Sequence, residues 1–245
     1  MPPASAAAIA IIVALAIAFV VLFTRWGWRF APEGVPFMVV ALVVLAALTV
    51  GAVGRPGAAL LAAAALWGVV ALWVCAFFRD PRPGGPRGDR LVLSPAQGRV
   101  VSVADVDEPA YLGGPATRIS IFLSVFDVHV NRYPVSGTVD VVRYNRGKFL
   151  HAARDKASLD NEQTTIGLRG PRGGVVVRQI AGSVARRIVT DAKAGDAARQ
   201  AERLGMIRFG SRVDVFLPRS AHAAVRVRVG DRVVVGETVI AEYTS

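Results

Sequence analysis

At 245 residues, 53% of them hydrophobic, and with a formal net charge of +11, the chain has room for one or two domains. The charge invites a nucleic-acid partner, but no recognition motif accompanies it, and the single cysteine, Cys75, excludes a disulfide framework and a thiolate metal cluster. Nearly all the charge follows an apolar N-terminal region, so anionic lipid headgroups are the nearer partner for the basic surface.

Three stretches are long enough to cross a bilayer, which takes roughly 20 apolar residues: Ser5–Phe23, Pro36–Val53 and Gly57–Phe78. The first lacks a basic region ahead of its apolar run and reads as a retained helix rather than a cleaved signal. Arg25 and Arg29 lie between the first two spans, and Arg79, Arg82, Arg87 and Arg90 follow the third; Arg55 stands alone between the second and third. Cytoplasmic loops carry the Lys/Arg excess, which predicts an outside N-terminus and a C-terminal domain on the cytoplasmic face of the cell (inner) membrane. Residues 1–78 are thus a membrane anchor, and 79–90, RDPRPGGPRGDR, a Pro/Gly/Arg linker.

From Leu91 the sequence predicts short strands: LVLSP, RVVSVADV, RISIFLSVF, GTVDVVRY, GVVVRQIAG, RLGMIRF, RVDVFLP, AVRVRV and DRVVVGETVIAEY. Alternation and β-branched residues recur, with Gly, Pro, Asp and Asn between them. Only Ser183–Val189 and Asp191–Arg203 suit short helices or turns. Two internal echoes refine this mainly β reading. The pattern P-x-x-G-x-V occurs at Pro95–Val100 and Pro134–Val139, and G-D-x5-E at Gly195–Glu202 and Gly230–Glu237. Both resemble the strand-turn-strand signatures of biotinyl/lipoyl-type barrel-sandwich folds. Those carriers modify a lysine at a tight hairpin, and no lysine occupies such a place here, so a carrier role is not expected.

The histidines are His129, His151 and His222, with no paired metal spacing and no carboxylate cluster, so no metal site is expected. His129, in FLSVFDVHVNRYPVSG, is either a core residue held by hydrogen bonds or a proton donor and acceptor; His151 and His222 read as structural. Gly210-Ser211 interrupts the strand-like run MIRFGSRVDVFLP. It lacks the G-x-S-x-G context of a hydrolase elbow. On these residues alone, a β-bulge glycine beside a polar residue is the plainest reading.

Taken together, FLSVFDVHVNRYPVSGTV, GKFLHAARDKASLDNEQ, VVVRQIAGSVARRIV and GMIRFGSRVDVFLP resemble, in the same order, segments of the short bacterial phosphatidylserine decarboxylase proenzymes. The membrane stretch ending in FFRDP also fits, and the resemblance covers most of residues 30–218. It implies self-cleavage between Gly210 and Ser211: Ser211 Oγ attacks the Gly210 carbonyl, the peptide becomes an ester, and β-elimination followed by loss of ammonia leaves a covalent pyruvoyl group at position 211. The products are a β chain, 1–210, and an α chain, 211–245, which remain associated; a homo-oligomer is compatible with the sequence. The pyruvoyl ketone forms a Schiff base with the serine amine of phosphatidylserine, and loss of carbon dioxide yields phosphatidylethanolamine, with neither pyridoxal phosphate nor metal.

By the same resemblance, His129 matches a histidine implicated in proton transfer. Two departures stand out. Longer relatives carry a second histidine where this chain has Arg132, and the common S-P-x-D-G, whose aspartate is assigned to orient the histidine, here reads Ser94-Pro95-Ala96-Gln97-Gly98. Gln97 at the usual Asp position supplies no negative charge, which predicts slower processing, unless Asp127 substitutes. Arg132 and Arg212 are candidates to hold the lipid phosphate. The competing readings are a non-catalytic membrane adaptor on a barrel-sandwich scaffold and a processing-dead homologue.

Overall fold

Two of the apolar runs form helices, α1 at Val35–Gly54 and α2 at Ala58–Phe77, in a computed structural model that describes residues 10, 17, 21, 29–55, 57–147, 161–182, 187–208 and 211–244. Each has 20 residues, or about 30 Å at 1.5 Å per residue, which matches the hydrocarbon thickness of a bilayer. Small residues are buried on both (Ala41 and Ala52 on α1; Ala64, Gly68 and Ala71 on α2), whereas Val39, Val43, Val50, Leu66 and Val69 are exposed. Small residues allow close backbone approach between membrane helices and leave the large ones for lipid. Trp67 Nε1 ties the pair by donating to the Ala41 carbonyl at 2.8 Å. The span expected at Ser5–Phe23 lies almost wholly outside the described residues.

The chain divides into two units, 1–82 and 83–245, and the second is built of antiparallel β-strands arranged as two interleaved repeats. The first repeat comprises β1 (Leu91–Leu93), β2 (Gly98–Glu108), β3 (Gly114–Leu123), β11 (Ser211–Pro218), β12 (Ala223–Val225), β13 (Arg232–Val233) and β14 (Val239–Tyr243). The second comprises β4 (Val130–Arg132), β5 (Gly137–Asn145), β6 (Gln163–Gly170), β7 (Gly173–Ala181), β8 (Ile188–Thr190), β9 (Ala197–Ala198) and β10 (Arg203–Ile207). An eight-stranded sheet runs β13-β2-β3-β11-β7-β6-β5-β9, and two three-stranded sheets run β1-β14-β12 and β4-β10-β8. Read inward from either edge, the large sheet presents equivalent strands of the two repeats, which meet at the β11–β7 pair.

The registers repeat as well. Val92 pairs with Ala241 as Asn131 pairs with Gly205, and Arg232 pairs with Arg99 as Ala197 pairs with Thr138. The β2–β3 ladder shifts between Val100 and Ser102, and the β5–β6 ladder at the matching place, between Val139 and Val141. Both echoed motifs have a geometric reason. A Cβ on Gly98 would collide with the Phe122 carbonyl and one on Gly137 with the Arg169 carbonyl, so each P-x-x-G-x-V motif needs glycine for a close backbone crossing. In each G-D-x5-E motif the aspartate carbonyl accepts from the valine ending that crossing, Val100 N to Asp231 O and Val139 N to Asp196 O, both at 2.9 Å.

The second repeat is inserted whole between β3 and β11 of the first. In the second repeat β6 and β7 are joined directly, with Gly170 paired to Gly173; in the first, the equivalent pair is Leu123 and Ser211. The core lies on the inner face of the large sheet, where Ile121, Leu123, Val139, Ile166, Val177 and Val213 are fully buried.

The structure corrects three sequence readings. Residues 163–170 form β6, although no strand is expected there. Polar Gln163 and Thr164 open it, and Gly167 interrupts the apolar pattern because the Tyr111 ring lies where its Cβ would be. Ile188–Thr190 is strand β8 rather than helix or turn, and of AVRVRV only Ala224–Val225 pairs, within β12. Pro/Gly/Arg residues 83–90 are bound to the β unit: Gly84 N donates to Glu237 Oε1 at 2.9 Å and Arg87 Nη1 to the Gly236 carbonyl at 3.0 Å.

Candidate active site

The run MIRFGSRVDVFLP is not one strand with a bulge. β10 ends at Ile207 in a three-stranded sheet, and β11 begins at Ser211 at the centre of the eight-stranded sheet. The chain changes sheets between them; residues 209 and 210 lie outside the described residues. Ser211 is flanked by Leu123 of β3 and Ala181 of β7 and is fully buried. Its Oγ is also without a hydrogen-bond partner among the described residues. A buried hydroxyl normally finds a partner, because leaving one unmade costs about 1–3 kcal/mol. An orphaned serine hydroxyl at the head of the central strand is therefore a candidate reacting group.

Alternation along β11 sends Ser211 and Val213 to the core face and Arg212 and Asp214 to the reverse face. Opposite Val213 on the core face stands Gln179, also fully buried. Diagonal same-face neighbours across an antiparallel pair lie about 7–8 Å apart, which puts Gln179 beside Ser211. Gln179 Nε2 donates to Asn131 Oδ1 at 2.8 Å, and Thr190 Oγ1 donates to Gln179 Oε1 at 2.8 Å. This polar chain brings β4 and β8 to the same place. Sequence reasoning does not single out Gln179 or Thr190, and it names Asn131 only as a neighbour of His129.

His129, just before β4, is fully buried. Its Nδ1 lies 2.9 Å from the Asp127 carbonyl. A carbonyl only accepts, so Nδ1 carries the proton and the neutral ring presents its lone pair at Nε2, the tautomer a general base requires. The Asp127 carboxylate faces elsewhere: Ser124 N and Oγ donate to Oδ2 at 2.9 and 2.7 Å, and Arg232 Nη2 to Oδ1 at 2.7 Å. Asp127 thus orients the histidine through its backbone. Gln97, half-buried, directly precedes Gly98, whose neighbourhood includes Leu123 Cα. That places it at the Ser211 end of the sheet, with no side-chain hydrogen bond among the described residues.

Arg212, one residue from Ser211, belongs to a different environment. It is fully buried on the reverse face, where its Nε and Nη2 donate to Asp214 Oδ1 and Oδ2 at 2.6 and 3.1 Å, and Nη2 donates to Ser120 Oγ at 2.7 Å. Arg178 lies opposite Asp214 and over the Phe216 ring; burial lowers its pKa, against the pull of Asp214 and Glu108. With its charge taken up by Asp214, Arg212 is not a lipid-phosphate ligand. Arg132 is also buried and donates to the Ala201 carbonyl at 3.0 Å. His151 lies outside the described residues. His222 is exposed, with φ at 47°, and its carbonyl accepts from Thr244 N and Oγ1, a turn-capping role. Among the described residues no group of three or more His, Cys, Asp or Glu side chains could hold a metal ion.

Two comparisons bear on this arrangement. The family model for phosphatidylserine decarboxylase matches residues 70–241. A phosphatidylserine decarboxylase proenzyme of Symbiobacterium thermophilum is 50% identical over 213 residues, covering 86% of this chain and 94% of that protein. The matched region spans Gln97, His129 and the orphaned hydroxyl of Ser211.

Proposed function

The chain belongs to the phosphatidylserine decarboxylase family, and from that premise we propose that it is made as a proenzyme that cuts itself between Gly210 and Ser211 and carries a pyruvoyl group at position 211. The observation that carries this reading is the buried, unpartnered Ser211 Oγ at the head of the central strand. The hydroxyl is held where its own backbone enters β11, with neighbouring ladders fixing the strand on both sides. Glycine on the acyl side offers the least steric obstruction to attack. His129, with Nδ1 tied to the Asp127 carbonyl, takes the hydroxyl proton at Nε2.

The surroundings fit a pyruvoyl group: position 211 lies among Leu123, Ala181 and Val213, with neutral polar side chains nearby and no charged group on its face of β11. Such a group supplies a ketone that captures the serine amine and an electron sink for the bond to carbon dioxide. The protein's part is to hold that group rigidly and dry, which the central position of β11 provides. Phosphatidylserine is the substrate, and α1 and α2 keep the β unit beside it; the arginines at 79, 82, 87 and 90 set that unit on the cytoplasmic face.

Intact mass of the purified chain tests the reading. Two products are expected, the smaller beginning at position 211 with a pyruvoyl cap, and Ser211→Ala should leave one uncut, inactive chain. A wild-type chain recovered whole overturns it.

A further inference from the structure

The two repeats differ at three buried positions, and all three lie beside Ser211. By register, Asn131 of β4 corresponds to Val92 of β1, and Thr190 of β8 to Val225 of β12. Likewise Gln179 of β7 corresponds to Leu217 of β11. The first repeat therefore fills these places with Val92, Leu217 and Val225, all in or against the apolar core. The second fills them with a hydrogen-bonded chain of polar side chains. The fold does not require the polar set, because its own other half does without it. Burying a polar network in place of apolar packing brings no general gain in stability.

The chain also has a direction. Thr190 donates to Gln179 Oε1, which turns the Gln179 amide so that Nε2 donates to Asn131 Oδ1. That leaves the Asn131 amide presenting its N–H donors. Asn131 is fully buried, and its Nδ2 has no partner among the described residues. Two orphaned polar atoms, a donor at Asn131 and the Ser211 hydroxyl, thus occur in one buried region, and they do not bond to each other.

Resting on the processing reading above, we propose that Asn131 Nδ2 is the oxyanion donor for self-cleavage, and that Gln179 and Thr190 are positioning residues that aim it. Ser211 Oγ forms a bond to the Gly210 carbonyl carbon while its proton passes to a base, and the carbonyl oxygen takes the electron pair. Asn131 Nδ2 donates to that oxygen. When the pair returns, the carbon–nitrogen bond breaks, the nitrogen takes a proton, and an ester and a free amine result. A donor aimed at the oxygen only as it becomes charged stabilises the transition state more than the ground state.

The test swaps in the residues that the other repeat already uses. Full-length Asn131→Val, and the triple variant Asn131→Val/Gln179→Leu/Thr190→Val, are purified from membranes, and cleavage is followed by gel and intact mass, with and without hydroxylamine, which cuts the ester intermediate. The expected result is folding as firm as that of uncut Ser211→Ala, with cleavage slowed by about 10²-fold or more and no rescue by hydroxylamine. Thr190→Val alone should slow cleavage less. Cleavage at the wild-type rate overturns the assignment, as does a slowing matched by an equal loss of thermal stability. Rescue by hydroxylamine also overturns it, since the amide would then act after ester formation. An uncut wild-type chain overturns the processing reading itself, and this proposal with it.

Discussion

Ser211 holds in the first repeat the place that Gly173 holds in the second: each opens the strand at the centre of the large sheet, Ser211 opposite Leu123 and Gly173 opposite Gly170. The Gly170–Gly173 turn shows how β3 and β11 would join if nothing were inserted. Cutting beside Ser211 therefore severs a connection at the end of a strand pair and breaks no ladder. Residues 211–245 keep β11 between β3 and β7, and β14 between β1 and β12. The two products should co-elute in gel filtration and separate only in denaturant. Loss of the small chain under native conditions would count against this.

The Arg212–Asp214 pair on the reverse face should be a stability element rather than part of the chemistry. Both side chains are wholly buried, and the contact is bidentate. Removing one partner of such a pair leaves a buried charge uncompensated, which typically costs about 3–5 kcal/mol. Asp214→Ala, made in the uncut Ser211→Ala chain and followed by urea unfolding in detergent, should lose about that much. Arg212→Met/Asp214→Leu should recover most of it. A loss below about 1 kcal/mol for Asp214→Ala would show that the guanidinium finds other partners.

Much of this was legible in the sequence, for identifiable reasons. Strand alternation is a local signal, and the glycine crossings force a repeated motif, so the β class and the duplication could be read from Pro95–Val100 and Pro134–Val139. The sheet change at Gly210-Ser211 could not. Whether β10 and β11 continue one another depends on partners far away in sequence, and β11 finds its neighbours at Leu123 and Ala181. The polar chain was hidden for a related reason. Gln179 in VVVRQIAG looks like an ordinary outward polar residue until the register turns it toward the core. Its signal was present, though: aligning the two echoes sets Asn131 against Val92.

Tyr111 should titrate well above an ordinary tyrosine. Burial pushes it up to about 12, assisted by the hydrogen bond to Asp140 and that carboxylate's charge and opposed by Arg169. In the unfolded chain the phenol ionises near 10. Between about pH 10 and 12 the unfolded state binds fewer protons than the folded state, so stability falls as pH rises through that window; below it, Tyr111 contributes no pH dependence. Tyrosinate absorbance, with Tyr111→Phe subtracted, should place the transition there, and Asp140→Ala should move it down. A Tyr111 transition near 10 would contradict the packing of its ring against Gly167 and Gly174.

Gln97→Asp should speed self-cleavage. The base His129 acquires positive charge as it takes the Ser211 proton, and a nearby carboxylate favours the charged imidazole. In this chain Asp127 offers His129 only its carbonyl, because its carboxylate is engaged by Ser124 and Arg232. Gln97 lies at the right end of the sheet but is neutral, so the imidazolium forms without a charge partner from either residue. Restoring the carboxylate should raise the cleavage rate on the order of tenfold, read by gel over time at fixed pH. If the two chains cleave equally fast, the neutral residue imposes no cost and the base draws its support from elsewhere. If Gln97→Asp is slower, the amide is itself a required donor, and the substitution in this chain is an adaptation rather than a defect.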